Sequence, residues 1–235
     1  MEAKAIIHLN DQRGRSENEW MRSLMSFNFG NYKAVNREPF GCLQVFNEDT
    51  LAAGGSLAMK VEEHTEVLLI PLVGTILFKD SNGNENYIEP GSVQAFTVAS
   101  QDSYTITNTY ENKVLVNFLQ VWLIKNSNLF QSTQQQFSFD LSRKDQLHTM
   151  ISPAELNQVV FCSIGKYTGR KKDRYRLHYN DTGIYAFVIE GIFEVQDRLL
   201  HAKDGLAIWD TNDIDFEALS GDAILLLLEV PLSTY

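Results

Sequence analysis

The sequence predicts an all-β protein built as two tandem β-barrels, and three observations carry that expectation. Short runs rich in Val, Ile, Leu, Phe and Tyr are punctuated by Gly, Asn and Asp about every ten residues. Helical periodicity is nearly absent. A pattern of strand, Gly, hairpin and Gly-closed turn occurs twice, once around Gly74 and once around Gly191.

Taken in order, the strand signals fall at residues 67–72, 75–79, 93–98, 114–124, 159–164, 185–189, 193–195 and 223–230. Between the second and third, Lys79-Asp80-Ser81-Asn82-Gly83-Asn84 carries the Asn-Gly pair that supplies positive φ for a tight hairpin. Weak helical patterns occur at residues 16–22 and 153–157, the latter opening with Pro153 at a first helical position. The two similar stretches place one barrel in residues 1–128 and the other in 129–235, with exchange of segments around a joint rich in Asn, Gln and Ser at residues 125–136.

Composition narrows the function. Twenty Lys and Arg against thirty Asp and Glu give a net charge of −10, which repels phosphate backbones and anionic lipid, so neither nucleic acid nor membrane is an expected partner. The apolar runs are shorter than the roughly 20 residues of a membrane helix. Cys42 and Cys162 stand far apart in apolar runs with no CxxC pair, and the start of the chain turns polar within nine residues. Both facts point to a cytoplasmic protein with two buried thiols.

The spacing around Gly74 carries a more specific signal. Gly54, position 60, position 62, Glu66 and Gly74 follow the first signature of the cupin barrel, and Pro90-Gly91, Tyr104 and Asn108 echo the second. Arg13-Gly14, Trp20, Ser26-Phe27-Asn28-Phe29-Gly30, Phe40-Gly41, Val45-Phe46-Asn47-Glu48-Asp49, Gly54-Gly55 and Phe118-Leu119-Gln120-Val121-Trp122 resemble the pirin family in order and spacing. Residues 191–231 look like the second cupin of bacterial pirin-like proteins. The resemblance implies a bicupin of RmlC-like jelly-roll barrels. Several members of that family bind Fe or another transition metal in the first barrel, and several show quercetin 2,3-dioxygenase activity.

The family pattern puts two His one residue apart on one strand, and a His and a Glu on a later one. Carried over by spacing, those positions read Lys60, Glu62, Tyr104 and Ile106. Residues i and i+2 of a strand share a face, so Lys60 and Glu62 are expected to look into the barrel together. An ammonium there repels a divalent ion by about 4 kcal/mol per unit charge at ~4 Å and an effective dielectric near 20. Ile106 offers no donor, and Tyr104 binds metal well only as phenolate. No metal cofactor is therefore expected. Lys60 and Glu62 then read either as an ion pair filling the vacated space or as a polar pocket in which Lys60 meets an anionic or carbonyl group.

His64, Glu66, Asn108 and His178 are secondary pocket candidates. His64 and Glu66 cannot join Glu62 around one ion, because Glu62 and Glu66 lie about 13 Å apart along a strand. His178 has no partner His or carboxylate at i±2, and the basic run 165–174 reads as a solvated loop. Three functions follow. The first is a metal-free pirin-like protein that binds a small molecule in the N-terminal barrel or regulates, as a monomer. The second is a metal-dependent quercetin 2,3-dioxygenase-like oxidoreductase with an atypical site. The third is a metal-independent lyase or isomerase using Lys60 and Tyr104 as acid and base.

Overall fold

A computed structural model describes residues 3–125, 131–156 and 158–233. The strands run in chain order as β1 (Lys4–His8), β2 (Gly14–Glu17), β3 (Met21–Met25), β4 (Leu43–Leu51), β5 (Ser56–Lys60), β6 (Thr65–Val73) and β7 (Ile76–Asp80). Next come β8 (Glu85–Ile88), β9 (Ser92–Val98), β10 (Ser103–Thr107), β11 (Val116–Ile124), β12 (Gln134–Ser138) and β13 (Gln146–Ile151). A short helix, α1 (Pro153–Leu156), precedes β14 (Phe161–Tyr167), β15 (Lys172–Arg176), β16 (Thr182–Glu190) and β17 (Ile192–Val195). The chain closes with β18 (Arg198–His201), β19 (Gly205–Trp209), β20 (Asp213–Ala218) and β21 (Ala223–Pro231).

The N-terminal unit pairs a seven-stranded sheet, β12-β9-β6-β11-β4-β3-β2, with a four-stranded one, β5-β10-β7-β8. Every pairing is antiparallel, and the inward side chains of both sheets form one apolar cluster that includes Leu69, Phe78, Phe96, Ile106 and Phe118. The C-terminal unit repeats the plan with β1-β19-β16-β21-β14-β13 and β15-β20-β17-β18 around Tyr167, Phe193, Leu206, Phe216 and Leu227. Gly74 (φ 73°) and Gly191 (φ 84°) take matching left-handed conformations before β7 and β17. At each, an added Cβ would come within 3 Å of the next layer: Val116 Cγ1 at 2.8 Å, or Ser220 Oγ at 2.5 Å.

The units are not contiguous in sequence. Strand β1 pairs with β19, so residues 3–13 belong with the C-terminal unit, as do Phe40–Cys42, while β12 pairs with β9 in the N-terminal one. A boundary at 128/129 falls among residues outside the described ones. The hairpin at Gly83 (φ 88°) joins β7 to β8, with Asp80 Oδ1 accepting from the backbone N–H groups of Asn82 (2.9 Å) and Asn84 (2.8 Å).

Residues 16–22 correct the sequence expectation. They form the end of β2, a turn and the start of β3 rather than a helix, because Asn18 Oδ1 accepts from the N–H groups of Trp20 (3.0 Å) and Met21 (2.8 Å) and reverses the chain. Helix α1 covers 153–156 of the expected 153–157, and Asn157 lies outside the described residues.

Candidate functional site: a cavity in the N-terminal barrel

Strict alternation decides which side chains reach the interior of the N-terminal barrel. Strand β3 turns Met21, Ser23 and Met25 inward, β4 turns Asn47 and Asp49, and β11 turns Gln120 and Trp122. From β5 come Leu57 and Met59, which pair with Ile106 and Tyr104 of β10. Together with Phe29 and Tyr32 from the segment after β3, and Arg15 and Ser16 from β2, most of these line a cavity of about 610 Å³. That is the size of a pocket for a drug-sized molecule.

One side of the cavity rests on a buried hydrogen-bond relay. Trp122 Nε1 donates to the Tyr104 hydroxyl (2.7 Å), the hydroxyl donates to Gln120 Oε1, and Gln120 Nε2 donates to Asp49 Oδ2 (2.8 Å). Burial drives the Tyr104 pKa well above the ordinary 10. The Trp122 hydrogen bond works against this shift and the nearby Asp49 charge adds to it. Tyr104 is therefore a fixed neutral donor. Beside the relay stands Asn47, 1% exposed, whose Oδ1 has no hydrogen-bond partner among the described residues. A buried amide oxygen left unpaired costs roughly 1–3 kcal/mol.

The structure corrects the placement of two expected site residues. Lys60 and Glu62 are exposed, on the opposite face of the β5 segment from Met59 and Val61, and they make no ion pair among the described residues. Spacing alone misplaced them by one residue. The alternation of apolar Leu57, Met59 and Val61 with Ala58, Lys60 and Glu62 was the signal that could have set the phase. Tyr104 and Ile106 do face inward, but with Met59 and Leu57 as neighbours. An acid–base pair of Lys60 with Tyr104 is not assembled.

The secondary candidates scatter. His64 Nδ1 accepts from the Ser100 N–H (3.2 Å). Glu66 is fully buried against Lys125 Nζ (3.1 Å), and burial outweighs that ammonium to push its pKa up to about 7. Asn108 ties loops together, donating to the carbonyls of Leu51 (2.9 Å) and Val114 (2.8 Å). None of the three lines the cavity. Asn47, Asp49 and Gln120 do, and sequence reasoning missed them as site residues.

His178 belongs to the C-terminal barrel, in a different cluster. Its Nδ1 lies 2.9 Å from Glu229 Oε2, and its ring stacks on Phe161 at 3.7 Å. Glu229, fully buried, also accepts from Tyr175 Oη (2.8 Å), the His178 N–H (2.9 Å) and Thr182 Oγ1 (2.7 Å). The carboxylate partner that spacing could not reveal comes from the last strand. The basic run is partly strand β15, and its charges are matched by β20: Lys172 meets Glu217 at 3.3 Å, and Arg174 Nε meets Asp215 at 2.6 Å. Cys42 and Cys162 are free and buried; burial pushes the Cys42 thiol up to about 12 and raises Cys162 as well.

The residues around the expected metal position do not fit one. Leu57 and Ile106 carry no donor atom, Met59 offers a thioether, and Tyr104 is held neutral. Among the described residues, no three His, Cys, Asp or Glu side chains are grouped so as to hold an ion. No helix among them is long and apolar enough to cross a membrane.

Comparison with known proteins places this architecture. Residues 7–123 match the pirin family, and residues 149–230 match the quercetinase C-terminal cupin domain. The quercetin 2,3-dioxygenase of Escherichia coli K12 is 26% identical over 224 residues, covering 94% of this chain and 96% of that one. The crystal structure of YhhW from Escherichia coli superposes with a TM-score of 0.86 at 22% identity, covering 99% of this chain and all of that one. A nickel(II) complex of the same bacterial pirin gives 0.85 at 22% identity, with 97% and 99% covered. Two cupin barrels, matched one after the other along the chain, make it a member of the pirin family.

Proposed function

We propose that this chain is a pirin-family bicupin that binds a small molecule in the cavity of its N-terminal barrel and lacks the metal centre of its metal-binding relatives. One observation carries the reading: the inward positions of β5 and β10 hold Leu57, Met59, Tyr104 and Ile106, beside a cavity with a polar wall at Asn47, Asp49 and Gln120. A cytoplasmic, monomeric protein with no nucleic-acid partner agrees with the net charge of −10. The second reading, a quercetin 2,3-dioxygenase-like oxidoreductase with an atypical metal site, draws on the names of the relatives and the nickel(II) complex of YhhW.

Elemental analysis of the purified chain, before and after incubation with Ni(II) and Fe(II), separates the two. The expected result is no stoichiometric metal and no oxygen uptake with quercetin. One equivalent of metal with turnover would establish the oxidoreductase. A designed variant tests the phase of β5 in addition. Leu57→His, Met59→His, Tyr104→His and Ile106→Glu together supply three imidazoles and a carboxylate to one interior, a set suited to a transition metal. That variant is expected to bind one equivalent. The set Lys60→His, Glu62→His, Tyr104→His and Ile106→Glu is expected to bind none, because two of its imidazoles face solvent.

A further inference from the structure

Exposure along the lining gives the cavity a depth. Arg15, Ser16, Gly30 and Asn31 are exposed and form its rim, Met21, Phe29, Tyr32 and Leu57 are half-buried, and Met25 (5% exposed), Met59 (9%) and Gln120 lie at its floor. A room of about 610 Å³ is thus reached through a throat of four side chains. Two of the four, Phe29 and Tyr32, come from one turn. That turn is stiff at its base, where the Asn28 N–H donates to the Arg37 carbonyl (2.6 Å), Asn28 Oδ1 accepts from the Ala34 N–H (2.7 Å) and Asn28 Nδ2 donates to the Ala34 carbonyl (3.2 Å). Its tip is light. The Tyr32 N–H donates to the Phe29 carbonyl (2.9 Å), Gly30 takes a left-handed φ of 55°, and a Cβ added at Gly30 would stand in open space. Each aromatic ring has a seat on the barrel. Phe29 stands edge-on to Trp122, with centroids 5.4 Å apart at 84°, and Tyr32 lies against Gly14, which opens β2 opposite Met25. The φ of Gly14 is outside the left-handed region, so the backbone does not ask for glycine there. The ring does: a Cβ at Gly14 would come within 2.3 Å of Tyr32 Cγ and 2.4 Å of Cδ1. Glycine inside a strand weakens it and marks the close approach of another group.

Resting on the small-molecule reading above, we propose that the turn Phe29–Tyr32 is a gate that controls access to this cavity. It is shut when Tyr32 seats on Gly14 and Phe29 on Trp122, and it opens when the rings leave those seats while the Asn28 clamp stays made. Two consequences follow. Opening costs aromatic contacts but none of the three clamp hydrogen bonds, so the open form is a minor state of the same fold, and a guest that fills the throat shifts the population toward it. The throat also sorts by size: a molecule as small as hydrogen peroxide reaches the floor of the shut cavity, whereas a bulkier one waits for the rings to move.

The thioethers at the floor report on the gate in the full chain. Hydrogen peroxide and tert-butyl hydroperoxide each pass one oxygen to a methionine sulfur, leaving water or the alcohol, and differ chiefly in bulk. Sulfoxide formation is followed at each methionine by peptide mass spectrometry. Met150, 7% exposed on β13 of the C-terminal barrel, reports unfolding instead of the gate. In the unaltered chain Met25 and Met59 are expected to favour hydrogen peroxide more strongly than free methionine does. Gly14→Ala, which pushes the ring off its seat, and Tyr32→Ala, which removes the ring and crowds nothing, should each speed oxidation of Met25 and Met59 by tert-butyl hydroperoxide about fivefold, the shift in open population that loss of one aromatic contact brings. The rate at Met150 should not change. Rates at Met25 and Met59 that stay put in both variants, or that move only in step with Met150, would overturn the gate. Equal access of both oxidants to Met25 and Met59 in the unaltered chain would also overturn it and leave the small-molecule reading standing. Should neither oxidant reach these two residues faster than it reaches Met150 in any of the three proteins, the cavity admits no small molecule, and the gate and the small-molecule reading fall together.

Discussion

The two barrels share a strand plan, yet matching inward positions carry a polar wall beside a cavity in one and an aromatic cluster in the other, and the difference comes down to a few residues. Matching registers identify them. In the N-terminal barrel β4 and β11 pair Asn47 with Gln120 and Asp49 with Phe118; in the C-terminal barrel β14 and β21 pair Ser163 with Leu227 and Gly165 with Leu225. Thus Ser163, Gly165 and Leu227 stand where Asn47, Asp49 and Gln120 stand in the first barrel. Where Asp49 carries a carboxylate, Gly165 carries nothing, and the ring of Tyr167 takes the space: a Cβ at 165 would meet Tyr167 Cε2 at 2.6 Å. Tyr167 is then pinned edge-on to Phe193 and Phe216, and its hydroxyl donates to Asp173 (2.8 Å). At this one matching position a carboxylate stands in the first barrel and an aromatic ring takes the space in the second.

The largest effect comes from moving that residue. Gly165→Asp copies the first barrel's carboxylate into the second. The new side chain has Tyr167 on one side and the Gln146 carbonyl, 2.8 Å from the added Cβ, on the other. Overpacking plus a buried charge should cost about 4 kcal/mol or more, enough to unfold much of the C-terminal barrel in mild urea. A denaturation midpoint close to that of the unaltered chain would show that Tyr167 can swing aside and that the barrel is not fixed by that ring.

A second contrast lies between two fully buried glutamates. Glu229 in the C-terminal barrel is surrounded by donors, whereas Glu66 in the N-terminal one has Lys125 Nζ at one oxygen and, among the described residues, no hydrogen-bond partner at Oε1. Burial raises the Glu66 pKa from 4.5 to about 7. A folded-state pKa above the unfolded one means the folded state holds the proton more tightly. The stability tied to that proton is full below about pH 4.5 and is lost as pH rises through about 7. The loss is on the order of 3 kcal/mol. Glu66→Gln should match the unaltered chain near pH 4.5 and gain on it progressively up to pH 8, read as urea midpoints across that range. A constant difference over the range would mean that Lys125 keeps Glu66 ionised throughout.

Much of the fold was legible because its signals are local. Asn82-Gly83 fixes a hairpin by φ alone, and Gly74 and Gly191 sit where the backbone must turn left-handed against the next layer. The ordered pirin-like residues from Arg13 to Trp122 then named the architecture. The site was harder, because ligand spacing counts residues but does not say which face they take. Lys60 and Glu62 satisfied the count, while the apolar alternation of Leu57, Met59 and Val61 carried the orientation. Asn47 and Asp49 were visible within a quoted motif, but their role depends on Gln120 and Tyr104, 73 and 55 positions beyond Asn47 and Asp49 respectively, and only strand pairing brings them together. The same holds for His178 and Glu229, joined across 51 positions.

The smallest effect is also the most diagnostic, since it turns on one atom. Asn47 Oδ1 is buried and unpartnered among the described residues, so the N-terminal barrel carries a cost that the C-terminal one avoids at the matching Ser163, whose hydroxyl lies 3.2 Å from Thr149 Oγ1. Asn47→Leu removes the amide, and the adjoining cavity has room for the extra bulk. The variant should therefore be more stable by about 1 kcal/mol, a rise of roughly 2–4 °C in Tm for a chain of this size. Asn47→Asp provides the control in the other direction: it keeps the acceptor and adds a second carboxyl group beside Asp49, so stability should fall. Should Asn47→Leu instead melt lower than the unaltered chain, the amide is held by an ordered water that the side chain needs, and the contrast between Asn47 and Ser163 would have to be redrawn around that water.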